Sequence, residues 1–140
     1  MRRWSRLESE PGTSLLHQGD NPDPAQNSNV LKLFLAMLVL HALCDFPLQG
    51  DFLARGKCKA TAFPGIPWTW CLFWHSVIHG GAVALATGSQ LLGALEAIQH
   101  ATIDKLKCSG ITNFAVDQLL HISCKAVWAV LLVRYPAVFR

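Results

Sequence analysis

The chain has 140 residues, of which 51% are apolar and only 15% charged, with a formal net charge of +3. That length fits one domain, and the charged fraction falls well below that of an ordinary soluble domain. The basic residues are scattered without interleaved aromatics, which argues against a nucleic-acid partner.

Residues 1–29 carry Pro11, Gly12, Gly19, Pro22 and Pro24 among polar residues. They lack helical periodicity and are expected to form a polar, disordered N-terminal tail. Arg2 and Arg3 are not followed by an apolar core, so they do not announce a signal peptide. His17 reads as an ordinary exposed histidine.

Residues 30–140 are a series of apolar runs about the length of membrane spans. The first predicted helix covers about Val30–Phe46 and closes at Pro47 and Gly50. A basic connection, Gln49–Pro67, holds Arg55, Lys57 and Lys59. The second helix covers Trp68–Thr87 and starts with Trp68, Trp70, Phe73 and Trp74, placed for an interfacial belt or for plain packing. Gly88 and Ser89 turn the chain into a third helix over Gln90–Lys107. Cys108–Gly110 turn it again into a fourth, over Thr112–Arg134. The first and third helices are near the lower length limit for a span, and the third is too polar to insert alone. Short turns make neighbours antiparallel. The expected fold is all-α, a four-helix antiparallel transmembrane bundle behind the tail.

Each predicted helix carries acidic or imidazole groups four apart: His41 with Asp45, His75 with His79, Glu96 with His100 and Asp104, and Asp117 with His121. A spacing of four stacks such groups on one helical face. The groups come late on the first and third helices and early on the second and fourth. In an antiparallel bundle those positions fall at one end, so all four ladders can meet in one interior layer.

Several imidazoles with several carboxylates suit a divalent metal such as zinc, manganese or iron. The candidate ligands are His41, Asp45, His75, His79, His100, Asp104, Asp117 and His121, and Glu96 and Asp104 are the candidate catalytic carboxylates. Leftover carboxylates would orient imidazoles, bind a second metal or act as a base. Hydrolysis is the default chemistry of an open site. The competing reading is a buried hydrogen-bond and ion-pair network, or a proton path, with no metal. Gln49, beyond Pro47, reads as a cap or a ligand-facing amide, and Gln118 as a cross-helix bond. Lys107 and Lys125 read as interfacial or snorkelling side chains. A soluble di-metal bundle of the ferritin type would need Glu-x-x-His, which is missing here.

Five cysteines without a Cys-x-x-Cys pair are expected to be free thiols. No spacing supports a zinc role for Cys58 or Cys108. Counting Lys and Arg near the helix ends places the first and third connections in the cytoplasm, although the distal Arg2, Arg3 and Arg6 would reverse that tally.

The ordered set His41-x-x-x-Asp45-Phe46-x-x-Gln49, Lys57, His75-x-x-x-His79, His100-x-x-x-Asp104-x-x-Lys107 and Asp117-Gln118-x-x-His121 resembles an uncharacterised family. It is a family of small integral membrane proteins of bacteria and their phages, domain of unknown function 3307, and the resemblance covers about Leu31 to Val133. It implies a multi-pass protein of the bacterial inner membrane, with the lipid bilayer as partner and room for a membrane-protein partner or a homo-oligomer. It supplies no activity. The layout is similar in style to membrane-bound metal-dependent hydrolases. The alternative is a non-catalytic phage or prophage membrane protein whose buried His/Asp network serves helix assembly or partner binding.

Overall fold

The computed structural model describes residues 24–139. Expectations about His17 and about disorder in residues 1–23 lie outside them. The described residues are all-helical, with α1 (Pro24–Asp45), α2 (Gly50–Gly56), α3 (Trp68–Thr87), α4 (Gln90–Cys108), α5 (Phe114–Arg134) and α6 (Pro136–Phe139). Helix α1 therefore begins ahead of the expected Val30, in residues assigned to the tail by composition. Proline is tolerated in a first turn, whose N–H groups have no intrahelical partner, and Ala25 and Gln26 extend a helix readily. The seven-residue α2 lies within the first connection, where no helix is expected from the sequence.

The turns form for local reasons. Gly88 closes α3 in the left-handed region, φ 70°, and its N–H bonds the Ala84 carbonyl at 2.8 Å. Ser89 then caps α4, its hydroxyl accepting from the Leu92 N–H at 3.2 Å. Asn113 caps α5 in the same way, accepting from Val116 N–H at 2.9 Å. These caps fix two helical hairpins in series.

Contacts between the four long helices run antiparallel all round. Residue 45 meets 75 and residue 41 meets 79 between α1 and α3. Residue 104 meets 75 between α4 and α3. Residue 96 meets 125 and residue 107 meets 117 between α4 and α5. Residue 41 meets 121 between α1 and α5. Helices α3 and α4 are in backbone contact. A Cβ added at Gly93 would lie 2.7 Å from the Gly80 carbonyl oxygen and 2.7 Å from Ala84 Cβ. Gly80 with Ala84, and Gly93 with Ala97, form two small-residue steps of four that permit this approach.

The interior is layered. At one end Met37, Val83, Leu92, Ala129 and Leu132 form an apolar plug. One turn on lies the pair Glu96 and Lys125. Next come His41, His79, His100 and His121, one from each long helix, and then Asp45, His75, Asp104 and Asp117. Among the described residues 13 polar or charged residues are buried against nine apolar ones, while 24 large apolar residues are exposed. Large contiguous apolar patches are uncommon on monomers folded in water. Two helices, α1 and α5, are long and apolar enough to cross a membrane. Among the described residues, 17% and 28% of their apolar stretches are buried.

Candidate metal centre

The ladder spacing delivers its side chains as a single cluster. His75, His79, His100, Asp104, Asp117 and His121 are all at most 1% exposed, and His41 is 3% exposed. Asp45 reaches across from α1. Its Oδ1 lies 3.1 Å from His79 Nε2 and 3.4 Å from His75 Nε2, and its Oδ2 lies 3.3 Å from His41 Nε2. The Nε2 atoms of His75 and His100 face each other at 3.1 Å. Asp104 Oδ2 is 3.3 Å from His75 Nε2 and 3.6 Å from His100 Nε2, while its Oδ1 turns toward His121 Nε2 at 3.8 Å. Asp117 Oδ1 is 3.7 Å from the same His121 nitrogen.

Ordinary N–H···O hydrogen bonds run about 2.7–3.2 Å. Ligand atoms about 2.1 Å from one ion lie about 3.0–3.4 Å from one another for bond angles from square to tetrahedral. The 3.1 Å separations fit both ranges, those of 3.3–3.4 Å fit only the second, and those of 3.6–3.8 Å exceed both. Two imidazole nitrogens at 3.1 Å can share at most one proton, whereas a cation takes both lone pairs. Donor atoms of Asp45, His75, His79 and His100 all lie within 4.8 Å of one another, and so do those of His100, Asp104 and His121. Both ring nitrogens of His41 and His121, and Asp117 Oδ1, are buried without a hydrogen bond. Buried polar atoms rarely go unsatisfied, so a cation of hard or borderline character fits the donor set.

Cations of the chain itself border the cluster. Lys57, 5% exposed, puts Nζ 2.7 Å from Asp104 Oδ2 and 3.1 Å from His75 Nε2. The Gln49 amide, oriented to satisfy its neighbours, accepts from Lys57 Nζ at 2.6 Å and donates to the Asp45 backbone carbonyl at 2.9 Å. Gln118 donates to Asp45 Oδ2 at 3.1 Å and to Asp117 Oδ2 at 3.2 Å, the expected cross-helix bond. Lys107, expected at the interface, is partly exposed and pairs with Asp117 Oδ2 at 3.0 Å.

Lys125 requires a correction. It does not snorkel. It is 1% exposed, and Nζ lies 2.5 Å from Glu96 Oε1. A buried ammonium persists only when paired, and here the partner is supplied from α4. Trp128 Nε1 donates to the other oxygen of Glu96 at 2.7 Å. Glu96 thus has both oxygens occupied on the side away from the cluster, with Oε1 3.4 Å from His100 Nδ1.

The expectation of five free thiols is also corrected. Cys58 and Cys108 form a disulfide, with Cα atoms 5.0 Å apart, whereas Cys44, Cys71 and Cys124 are free. The fold brings the two together across 50 residues, a pairing that sequence spacing does not encode. The bridge ties the residue after Lys57 to the end of α4, just beyond Asp104.

A groove of about 870 Å³, lined in part by Lys32, Ala36, Thr87 and Leu132, opens at the opposite end of the bundle and contains none of these groups. A family model described as "Protein of unknown function (DUF3307)" matches residues 33–138. No curated protein and no solved structure matches the chain.

Proposed function

The chain belongs to the DUF3307 family of unknown function, and from its own geometry we propose that it is a multi-pass membrane protein with an intramembrane divalent-metal centre. The observation that carries this is the meeting of Asp45, His75, His79 and His100 from three helices, with donor atoms within 4.8 Å of one another. Zinc, manganese and iron accept such imidazole and carboxylate ligands. A bound divalent ion supplies Lewis acidity and brings a coordinated water's pKa toward neutrality, so hydrolysis is the chemistry this reading favours. Asp104, between Lys57 and the imidazoles, is a ligand carboxylate on this reading. Glu96 is a positioning residue on this reading, because its oxygens already hold Lys125 and Trp128.

The membrane reading extends to all four long helices, as a four-helix antiparallel transmembrane bundle in the bacterial inner membrane. Support comes from the polar interior and the apolar exterior. Trp70, Phe73 and Trp74 are exposed and in ring contact at the start of α3, Trp70 stacked on Phe73 and Trp74 edge-on to both, where an interfacial belt would lie. The disulfide supports placing the site end on the oxidising side of the membrane, opposite to the expectation from the charge tally. A second reading is a non-catalytic phage or prophage membrane protein. The interhelical ion pairs Glu96–Lys125 and Lys107–Asp117 favour it, since they would tie helices together without any metal.

Two measurements on the full chain test the proposal. The protein should resist carbonate extraction from membranes, and Leu35→Arg on the exposed apolar face of α1 should impair insertion. Detergent-purified protein should carry a transition metal that His100→Ala loses. Recovery as a soluble monomer would end the membrane reading. Metal-free protein that cannot be loaded would leave the assembly reading in its place.

A further inference from the structure

The ligand set is too large for one ion. His41, Asp45, His75, His79, His100, Asp104, Asp117 and His121 offer five imidazoles and three carboxylates, whereas a zinc or similar ion takes about four to six ligands. The excess is not spread evenly. Asp45, His75, His79 and His100 converge from α1, α3 and α4. His100, Asp104 and His121 form a second group with donor atoms within 4.8 Å of one another, and Asp117 Oδ1 lies 3.7 Å from His121 Nε2 beside it.

We propose that the centre is binuclear, with a second divalent ion held by Asp104 Oδ1 and His121 Nε2, with Asp117 Oδ1 drawn in beside His121 to complete it, and with the Asp104 carboxylate bridging the two ions. The inference rests on the metal-centre reading above and deepens it. Three observations carry it. The two oxygens of Asp104 are divided between the lobes, Oδ2 facing His75 at 3.3 Å and Oδ1 facing His121 at 3.8 Å. His121 Nε2 stands 3.8 and 3.7 Å from two carboxylate oxygens, too far for hydrogen bonds and a few tenths of an ångström wider than ligand atoms on a common ion, which an ion would draw in. His121 and Asp117 are both 0% exposed, and neither Asp117 Oδ1 nor any ring nitrogen of His121 has a hydrogen bond.

The imidazoles agree with this division. His100 and His121 stack with centroids 4.1 Å apart and planes inclined 28°, so the rings run side by side. Each Nε2 then serves the lobe in front of it. His100 joins His75, whose Nε2 is 3.1 Å away, and His121 joins the carboxylates of α4 and α5. Paired ions in hydrolytic sites stand about 3.5–4 Å apart and clamp the reacting group between them. Such a pair suits a phosphate or acyl ester whose attacking and leaving oxygens each need a positive partner.

The lobes also differ in ligand number. Counting the bridging Asp104, the first has five protein donors. The second has three, so it is the one with coordination left for water and substrate.

The test is metal stoichiometry on detergent-solubilised full-length protein, apo protein being titrated with manganese or zinc alone. Two ions per chain are expected, against one for His121→Asn and one for His79→Asn. Helix content and thermal unfolding, measured alongside, establish that each variant is folded. The two losses should also be separable in the wild type by affinity, the three-donor lobe releasing its ion first to a chelator. A stoichiometry of one in the wild type, unchanged in His121→Asn, would overturn the second ion while leaving the metal centre standing. No binding at all would overturn both.

Discussion

Lys57 Nζ lies 2.7 Å from Asp104 Oδ2, joining the connection after α2 to the last turns of α4 across 47 residues of chain. The same ammonium approaches His75 Nε2 at 3.1 Å. The chain thus places its own positive charge among the atoms that would ligate an ion. The pair is buried, so removing one partner should strand the other at a cost of about 3–5 kcal/mol. Lys57→Met should therefore lower the thermal stability of chelator-treated protein. Added zinc or manganese should restore most of the loss, since an ion that binds only the folded state stabilises it. Equal unfolding temperatures for Lys57→Met and wild type in chelator would show that Asp104 does not depend on this lysine.

Helices α3 and α4 carry His75, His79, His100 and Asp104, half of the candidate ligands, and their approach is set by glycine. Gly93→Val would drive side-chain carbons into the Gly80 carbonyl and Ala84, each only 2.7 Å from where a Cβ would stand. Neither partner can retreat, because one is backbone and the other is the shortest side chain. We expect Gly93→Val to separate the helices, lose metal and run as an aggregate on size exclusion in detergent. Gly81→Ala is the control, since nothing lies within 4 Å of a Cβ there. Normal metal content in Gly93→Val would show that helix spacing does not set the site.

Much of this site is legible in the sequence because helical periodicity is a local property. The ladders at 41/45, 75/79, 96/100/104 and 117/121 declare one face of each helix, and the short turns at Gly88 and Gly110 make the antiparallel order follow. Lys125 continues the α5 ladder by four and is buried for that reason, so its spacing is a signal that its residue type obscures. Lys57 and Gln49 are harder to find. They sit on either side of α2, a helix too short to show periodicity, and only the return of that segment over the bundle brings them to His75. The disulfide has no local signal at all. The pairing of α5 with α4 is tertiary as well: nothing in the sequence near Trp128 says that its N–H will meet Glu96.

The bridge between Cys58 and Cys108 makes a topological prediction. Unreduced, denatured protein should react with three equivalents of a maleimide reagent, at Cys44, Cys71 and Cys124, and reduced protein with five. If the site end faces the oxidising side, single-cysteine probes at Lys59 and Ser109, both exposed and introduced one at a time with all five native cysteines replaced by serine, should be labelled from outside intact cells by a membrane-impermeant maleimide. Labelling only after the inner membrane is permeabilised would put that end in the cytoplasm, in line with the charge tally instead.

Glu96 offers the sharpest separation of holding a ligand from being one. Oε1 is 3.4 Å from His100 Nδ1, the ring nitrogen that does not face the cluster, while Lys125 and Trp128 fix the carboxylate at 2.5 and 2.7 Å. A carboxylate behind a ligand histidine orients the ring and raises its basicity, and its removal typically costs about 10–100-fold in metal affinity. Glu96→Gln should weaken binding by about that factor without changing how many ions bind, whereas His100→Ala should remove an ion outright. Glu96→Gln alone also strands the ammonium of Lys125, so its effect mixes orientation with instability. The pair Glu96→Gln with Lys125→Met removes both charges and should recover stability but not affinity. Full affinity in that double variant would mean that Glu96 only neutralises Lys125, and that His100 is held by its packing against His79 and His121 alone.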